Sequence, residues 1–164
     1  MNRQIALFLL VSLQLSGADL SLCTLARDFA AYRDKKVTVR GAYYYGLREN
    51  CSAKCADGPW PAFVELSGPQ ENGEALERAV HQAAAEARKG RKLEIWVTAV
   101  GRLRTMAQRS PLGPCDRIGS HYSGYGHLGV APAELVVERF QNIEIRENPK
   151  SSYDYGALRG SHAQ

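Results

Sequence analysis

Four cysteines and four histidines are the residues of this chain with the widest range of chemistry open to them. Cys23, Cys51, Cys55 and Cys115 form an even set, which in an exported domain reads as two disulfides. Three of them, Cys51, Cys55 and Cys115, also join His121 and His127 as donors that would suit zinc. The lone C-x3-C spacing has no second close pair, and an oxidising compartment converts such thiols to bridges. Disulfides are therefore expected, with no metal and no cofactor. Sequence alone leaves all three pairings open.

Gly124-Tyr125-Gly126-His127-Leu128-Gly129 matches G-x-G-x-x-G. That fingerprint binds a dinucleotide only between a strand and a helix, where the pyrophosphate meets a helix N-terminus. Here a glycine- and serine-rich stretch precedes it and Val130-Ala131-Pro132 follows, so it reads as a turn-rich loop. Ser123 lies between His121 and His127, yet no G-x-S-x-G elbow is present and no third residue is in place to orient a base. The 17 acidic residues offer no pair at a constrained spacing in an expected cleft. Catalysis finds no motif.

A binding face is the remaining candidate. Arg40, Tyr44, Trp96, Arg102 and Arg104 fall on the solvent side of two expected strands. Aromatic rings interleaved with arginine can stack on flat groups or sugars and hold anions. The competing reading has Trp96 and Val100 packed under an N-terminal helix. His81 sits on the charged side of a helix and reads as solvated; Tyr43 and Tyr45 read as core.

The elements that must position these residues follow from periodicity. Residues 19–36 carry Leu22, Leu25, Ala26, Phe29 and Tyr32 at helical spacing. Residues 36–45 alternate, with Val37, Val39, Gly41, Tyr43 and Tyr45 on one face, and Gly41 suggests a bend or bulge. Residues 46–61 read as a loop around Asp57-Gly58-Pro59, and 62–66 as a short strand. Residues 74–89 form the clearest helix, with Leu76, Val80, Ala83 and Ala87 as its stripe, Asn72 as a cap and Gly90 as its stop. Residues 91–105 are a long strand whose face Leu93, Ile95, Val97, Ala99, Gly101 and Leu103 alternates without error. Residues 106–132 read as a long functional or mobile loop. Residues 133–146 form a last strand, kinked near 139–142.

The ends differ from this body. Residues 1–18 run from a basic start, Arg3, through an apolar centre to Ser16-Gly17-Ala18, the pattern of a secretory leader. The apolar run is about half the ~20 residues of a membrane span. A lipid anchor at Cys23 would need a small residue before it, and Leu22 stands there. Loss of 1–18 leaves 20 basic and 17 acidic residues, a net +3. Nucleic-acid binders usually show a stronger basic patch. Residues 148–164 are polar and aperiodic and read as a disordered tail.

The expected organisation is a leader over 1–18, one domain over 19–147 with an N-terminal helix, and the tail. The fold class is mainly β with two helices (α+β). Few strands, two of them long and bent by glycine, hide their edges best by curling. That favours an OB-like, partly open five-stranded barrel, with one strand drawn from a bent long strand or from a loop region and helix 74–89 plugging one end. A plain antiparallel α+β sandwich is the alternative. In such a barrel Cys23 would meet one of Cys51 and Cys55, and Cys115 the other.

The run Val37-Thr38-Val39-Arg40-Gly41, Ala62-Phe63-Val64-Glu65-Leu66, Val97-Thr98-Ala99-Val100-Gly101, Gly124 to Gly129 and Ala133-Glu134-Leu135-Val136-Val137 resembles a group of small exported bacterial proteins. They share a V-x-V-x-G strand and a G-x-G-H-L-G segment, spread here over residues 36–146. The resemblance implies an OB-like fold and no established activity. These readings converge on an uncharacterised, non-catalytic binding or structural module of the bacterial envelope. It is expected in the periplasm or medium, with no membrane span after leader cleavage. Its partner is expected to be an envelope component or small ligand, not nucleic acid. The alternative is a small envelope hydrolase or metal-dependent enzyme built on residues 106–132. Single-stranded nucleic-acid binding follows from fold analogy alone.

Overall fold

The computed structural model describes residues 19–55, 58–68, 71, 73–105, 124–125 and 131–155, with backbone only for 52–55 and 58–61. The elements run β1 (Leu20–Ser21), α1 (Leu22–Ala26), a 3-10 turn (Phe29–Tyr32), β2 (Lys36–Tyr43), β3 (Leu47–Cys55), β4 (Gly58–Ser67), α2 (Gly73–Ala87), β5 (Leu93–Thr105) and β6 (Ala133–Glu147). The leader and Asn72 lie outside the described residues.

Hydrogen bonding links β1-β2-β3-β4-β6-β5, and β5 returns to β2. Five strands, β2 to β6, therefore close a ring, and α2 lies between the third and fourth of them in chain order. This is an OB-like small barrel of mainly β structure with two helices. Two seams are short. β2 meets β3 only at Ala42–Arg48 and Tyr43–Leu47, and β4 meets β6 in parallel only over Glu65–Ser67. The long seams are β2–β5, from Lys36–Arg102 to Ala42–Trp96, and β5–β6.

The fifth strand comes from the expected loop over 46–61. That stretch is instead the hairpin of β3 and β4, in register from Leu47–Val64 to Cys55–Gly58 with an irregularity between Cys51 and Lys54. Pro59 and Pro61 are tolerated because β6 pairs with β4 only from Glu65 onward, which leaves the earlier outer edge of β4 without a ladder to donate to.

The expected 19–36 helix is also corrected. β1 takes Leu20 and Ser21 and pairs in parallel with Val39 and Arg40. Ser21 Oγ then caps α1 by accepting from the Thr24 amide at 3.1 Å. Asp28 breaks the run because its carboxylate accepts from the Ala31 amide at 3.0 Å, so a 3-10 turn starts where the helix would continue. The helical spacing still has a purpose, since Leu22, Leu25 and Ala26 are buried. α1 packs on β2, β3 and β4 and so fills the short β2–β3 seam.

Cys23 of α1 is bonded to Cys51 of β3, with Cα atoms 5.6 Å apart. This is one of the two expected bridges. It takes Cys51 out of the alternative zinc set and Cys23 out of a lipid anchor. The Cys55–Cys115 pairing, His121 and His127 lie outside the described side chains.

Alternation on β5 is as expected, and its inward positions Leu93, Ile95, Val97, Ala99 and Leu103 are buried with Leu135, Val137 and Phe140 of β6. Inside the barrel, Gly101 lets β6 approach closely: a Cβ there would lie 2.3 Å from the Val136 carbonyl oxygen. β2 passes Gly41 with no register shift. The bends fall on β6, opposite Trp96–Thr98, where Asn142 has φ 46, and opposite Val100–Gly101. α2 covers β5 and β6 through Leu76, Ala79, Ala83 and Ala84, and Gly90 ends the helical run at φ 81.

Residues 148–155 correct the expected disordered tail. Tyr155 is 1% exposed and belongs to the core. Residues 156–164 lie outside the described residues.

Candidate functional site

The five residues expected to share a binding face are split between three places. Arg40 pairs with Glu144 at 3.0 Å, and Glu144 also takes Arg146 at 2.6 Å. Arg146 lies over the Trp96 ring, 5.2 Å from its centroid, while Trp96 Nε1 donates to Glu94 at 3.1 Å. Arg102 donates to the Asp34 carbonyl at 2.5 Å, and Arg104 pairs with Glu134 at 3.4 Å. Tyr44 belongs to a separate aromatic group.

β5 lies between β2 and β6, so the Arg40–Glu144 and Lys36–Glu138 ion pairs both cross over its outer face. Thr98 and Val100, which point outward from β5, are nonetheless buried. The α1 helix packs elsewhere, on β1 to β4, so it is not what covers Trp96. The cations of this wall are already matched to carboxylates or carbonyls.

The aromatic group sits at the turn from β2 to β3. Tyr45 has φ 55 and Gly46 φ 149. The turn requires glycine at 46, since a Cβ there would lie 2.5 Å from the Phe63 ring and 2.7 Å from the Val64 carbonyl oxygen. Tyr45, expected in the core, instead points out and is 41% exposed, the one large exposed hydrophobic side chain among the described residues. A left-handed backbone under a side chain costs about 1–2 kcal/mol, and such outliers cluster at functional sites.

Tyr44 anchors the group. Its ring meets Tyr45 edge-on at 5.0 Å and stacks on Tyr153 at 5.0 Å. Arg48 and Phe63 face each other across β3 and β4, and the guanidinium lies 4.5 Å from the Phe63 centroid and 5.7 Å from that of Tyr44. Arg48 Nε donates to the Tyr44 carbonyl at 2.9 Å. That bond and the ring contacts fix the plane of the cation, and among the described residues its terminal nitrogens have no acceptor. Among the described residues Arg48 has no ion-pair partner.

Glu65 borders the group and stands opposite Glu134 across the β4–β6 seam. Burial, then the Glu134 charge, push its carboxyl above the usual carboxylate range, against the pull of Arg48. Burial, then Glu65, also raise the Tyr43 phenol.

An open cleft of about 310 Å³ adjoins the group, between the end of α2, residues 90–93 and residues 151–155. Tyr153 lines it, but no histidine or cysteine does. The Ser151 hydroxyl accepts from the Tyr153 amide at 3.3 Å. His81 is exposed on α2 beside Glu77. Among the described residues no cluster of three or more histidine, cysteine or acidic side chains could hold a metal. No described helix is long and apolar enough to cross a membrane.

Of the glycine-rich segment only Gly124 and Tyr125 are among the described residues. Tyr125 and Ala131 exchange backbone hydrogen bonds of 3.0 and 3.2 Å, and the next described element is the strand β6 from Ala133.

Sequence reading put Tyr44 on one face with Arg40 and Trp96, whereas its ring lies with Tyr45, Tyr153 and Arg48; Arg48, Phe63, Tyr153 and Tyr155 were not singled out. The available signals were the run Tyr43-Tyr44-Tyr45-Gly46 and the Tyr-x-Tyr of 153–155 in an otherwise polar stretch.

Fold and site together define an OB-like barrel with an aromatic and arginine surface beside its first hairpin turn. No protein family, curated protein or solved structure was found to match the chain.

Proposed function

We propose that this chain is an exported, non-catalytic binding module of the bacterial envelope. The observation that carries the reading is Tyr45, a large exposed ring on a left-handed turn that meets Tyr44, the ring over which Arg48 also lies, and Arg48 has no ion-pair partner among the described residues. The Tyr45 ring meets Tyr44 along one edge and otherwise points out. OB-like barrels bind ligands through the face and loops of this region. The Cys23–Cys51 bridge supports an oxidising compartment, as does the leader pattern of residues 1–18.

Two measurements test the reading. Residues 1–30 fused to a leaderless alkaline phosphatase should give active enzyme outside the cytoplasm. The purified domain should co-sediment with isolated envelope polymer, and Tyr45→Asn should abolish this without lowering the melting temperature. Failure of wild-type protein to co-sediment would remove the binding reading.

A further inference from the structure

Arg48 differs from the other cations on the barrel wall. Arg40, Arg104 and Arg146 each have a carboxylate, and Arg102 has the Asp34 carbonyl. Arg48 has aromatic rings and a carbonyl on Nε, and its two terminal nitrogens form an end-on fork. A planar guanidinium held by stacking is suited to a carboxylate. Tyr45 adds an exposed ring against the same Tyr44.

The surroundings limit how many negative charges a ligand can bring. Glu49 is turned to the Cys23 amide at 3.0 Å, and Glu65 and Glu134 stand side by side on the adjoining strands. A nucleic-acid strand carries a charge at every nucleotide and is tracked by a continuous basic groove. Here, among the described residues, one cation without an ion-pair partner is bordered by acids. The matching ligand has a lone anion and flat, hydroxylated apolar faces around it.

Resting on the binding reading above, we propose that Tyr45, Arg48 and Phe63 form a site for a saccharide chain bearing one carboxylate at the point of contact. Arg48 takes the carboxylate through its terminal nitrogens. Phe63 holds the guanidinium plane, and Tyr45 takes the apolar face of an adjoining sugar ring.

The probe is a tetrasaccharide of alternating glucuronate and N-acetylglucosamine, titrated by calorimetry and by amide shifts in NMR. Its dimethyl ester, close in shape and with both carboxylates uncharged, is the control on wild-type protein. The acid form should bind about tenfold or more tightly than the ester, since a charge-assisted hydrogen bond is lost. Shifts should centre on residues 44–48 and 63. Arg48→Gln should match the ester's loss, Tyr45→Asn should weaken both forms, and Glu65→Gln should tighten the acid form.

Equal binding of acid and ester, or no binding of either, would overturn the proposal. So would tighter binding of a thymidine oligomer or an acidic peptide at the same salt. Co-sedimentation with envelope polymer alongside equal acid and ester binding would sink this proposal alone and leave the broader binding reading in place. Because the ester comparison uses wild-type protein, a misfolded variant does not affect the outcome.

Discussion

Tyr155 accepts a hydrogen bond from the backbone amide of Ile95 at 3.0 Å through its phenolic oxygen. The same hydroxyl donates to the Tyr43 carbonyl at 2.9 Å. The β2–β5 register stops at Ala42–Trp96, and one step further would set Tyr43 opposite Ile95. The phenol therefore stands in for the next rung of the barrel seam, carried by a residue more than a hundred positions from Tyr43.

Tyr155→Phe keeps the ring and leaves two seam groups without their partner. It should cost about 1–3 kcal/mol, read as a lower urea midpoint. Hydrogen exchange at the Ile95 amide should speed up more than at Val97. An unchanged midpoint would show that the hydroxyl does not hold the seam.

The same burial predicts an alkaline limit. It raises the phenols of Tyr155, Tyr43 and Tyr153 above their ordinary value. A raised acid favours its protonated form in the fold, so its stabilisation is complete below the unfolded value, about 10. It is lost as pH climbs beyond that value towards the folded one. Urea midpoints should fall above about pH 10, and Tyr155→Phe should flatten the fall.

Glu65 runs against the usual carboxylate pattern. Its raised value means that the fold favours the protonated form, an advantage present in acid and lost as pH rises through the folded value. Glu65→Gln should therefore be more stable than wild type at pH 7, with the gap closing towards pH 4. Glu138 and Glu144 go the other way, lowered first by hydrogen bonds from Lys36 and Arg146. Their exposed pairs lose their contribution as pH falls and are screened by salt.

Replacing both Cys23 and Cys51 by serine should cost about 2–4 kcal/mol. Exchange should quicken first in residues 19–32, because β1 has only two residues on β2 and α1 is short. Uniform quickening would argue that the bridge acts on the whole barrel.

The turn gives opposite signs at adjacent positions. Gly46→Ala forces a Cβ into Phe63 and the Val64 carbonyl and should cost about 2 kcal/mol or more. Tyr45→Asn suits the left-handed backbone and should hold or raise the melting temperature. Thermal melts of the two variants decide both.

Sequence alone showed β5 almost to the residue, because one face of a long strand is buried and period-2 alternation records that directly. It also showed α2 and its Gly90 stop. β3 was hidden because Cys51, Cys55 and the Asp57-Gly58-Pro59 turn residues outweigh alternation in a short window. Periodicity overstates the 19–36 helix, since Leu22 to Tyr32 keep helical spacing across a break set by one Asp28 hydrogen bond. The site was legible in part. Tyr44 was marked as facing outward, but its partners were not, because the Arg48–Phe63 contact depends on strand register, which periodicity does not give. The Tyr153 and Tyr155 contacts depend on how the final segment docks.

β2 is engaged by both extremes of the domain: Leu20 and Ser21 lie along one edge, and Tyr155 bridges to its end at the other. The ring of strands is therefore completed by a contact far along the chain from the strand it closes: the seam at Tyr43 and Ile95 gains its last rung only once the segment carrying Tyr155 has docked.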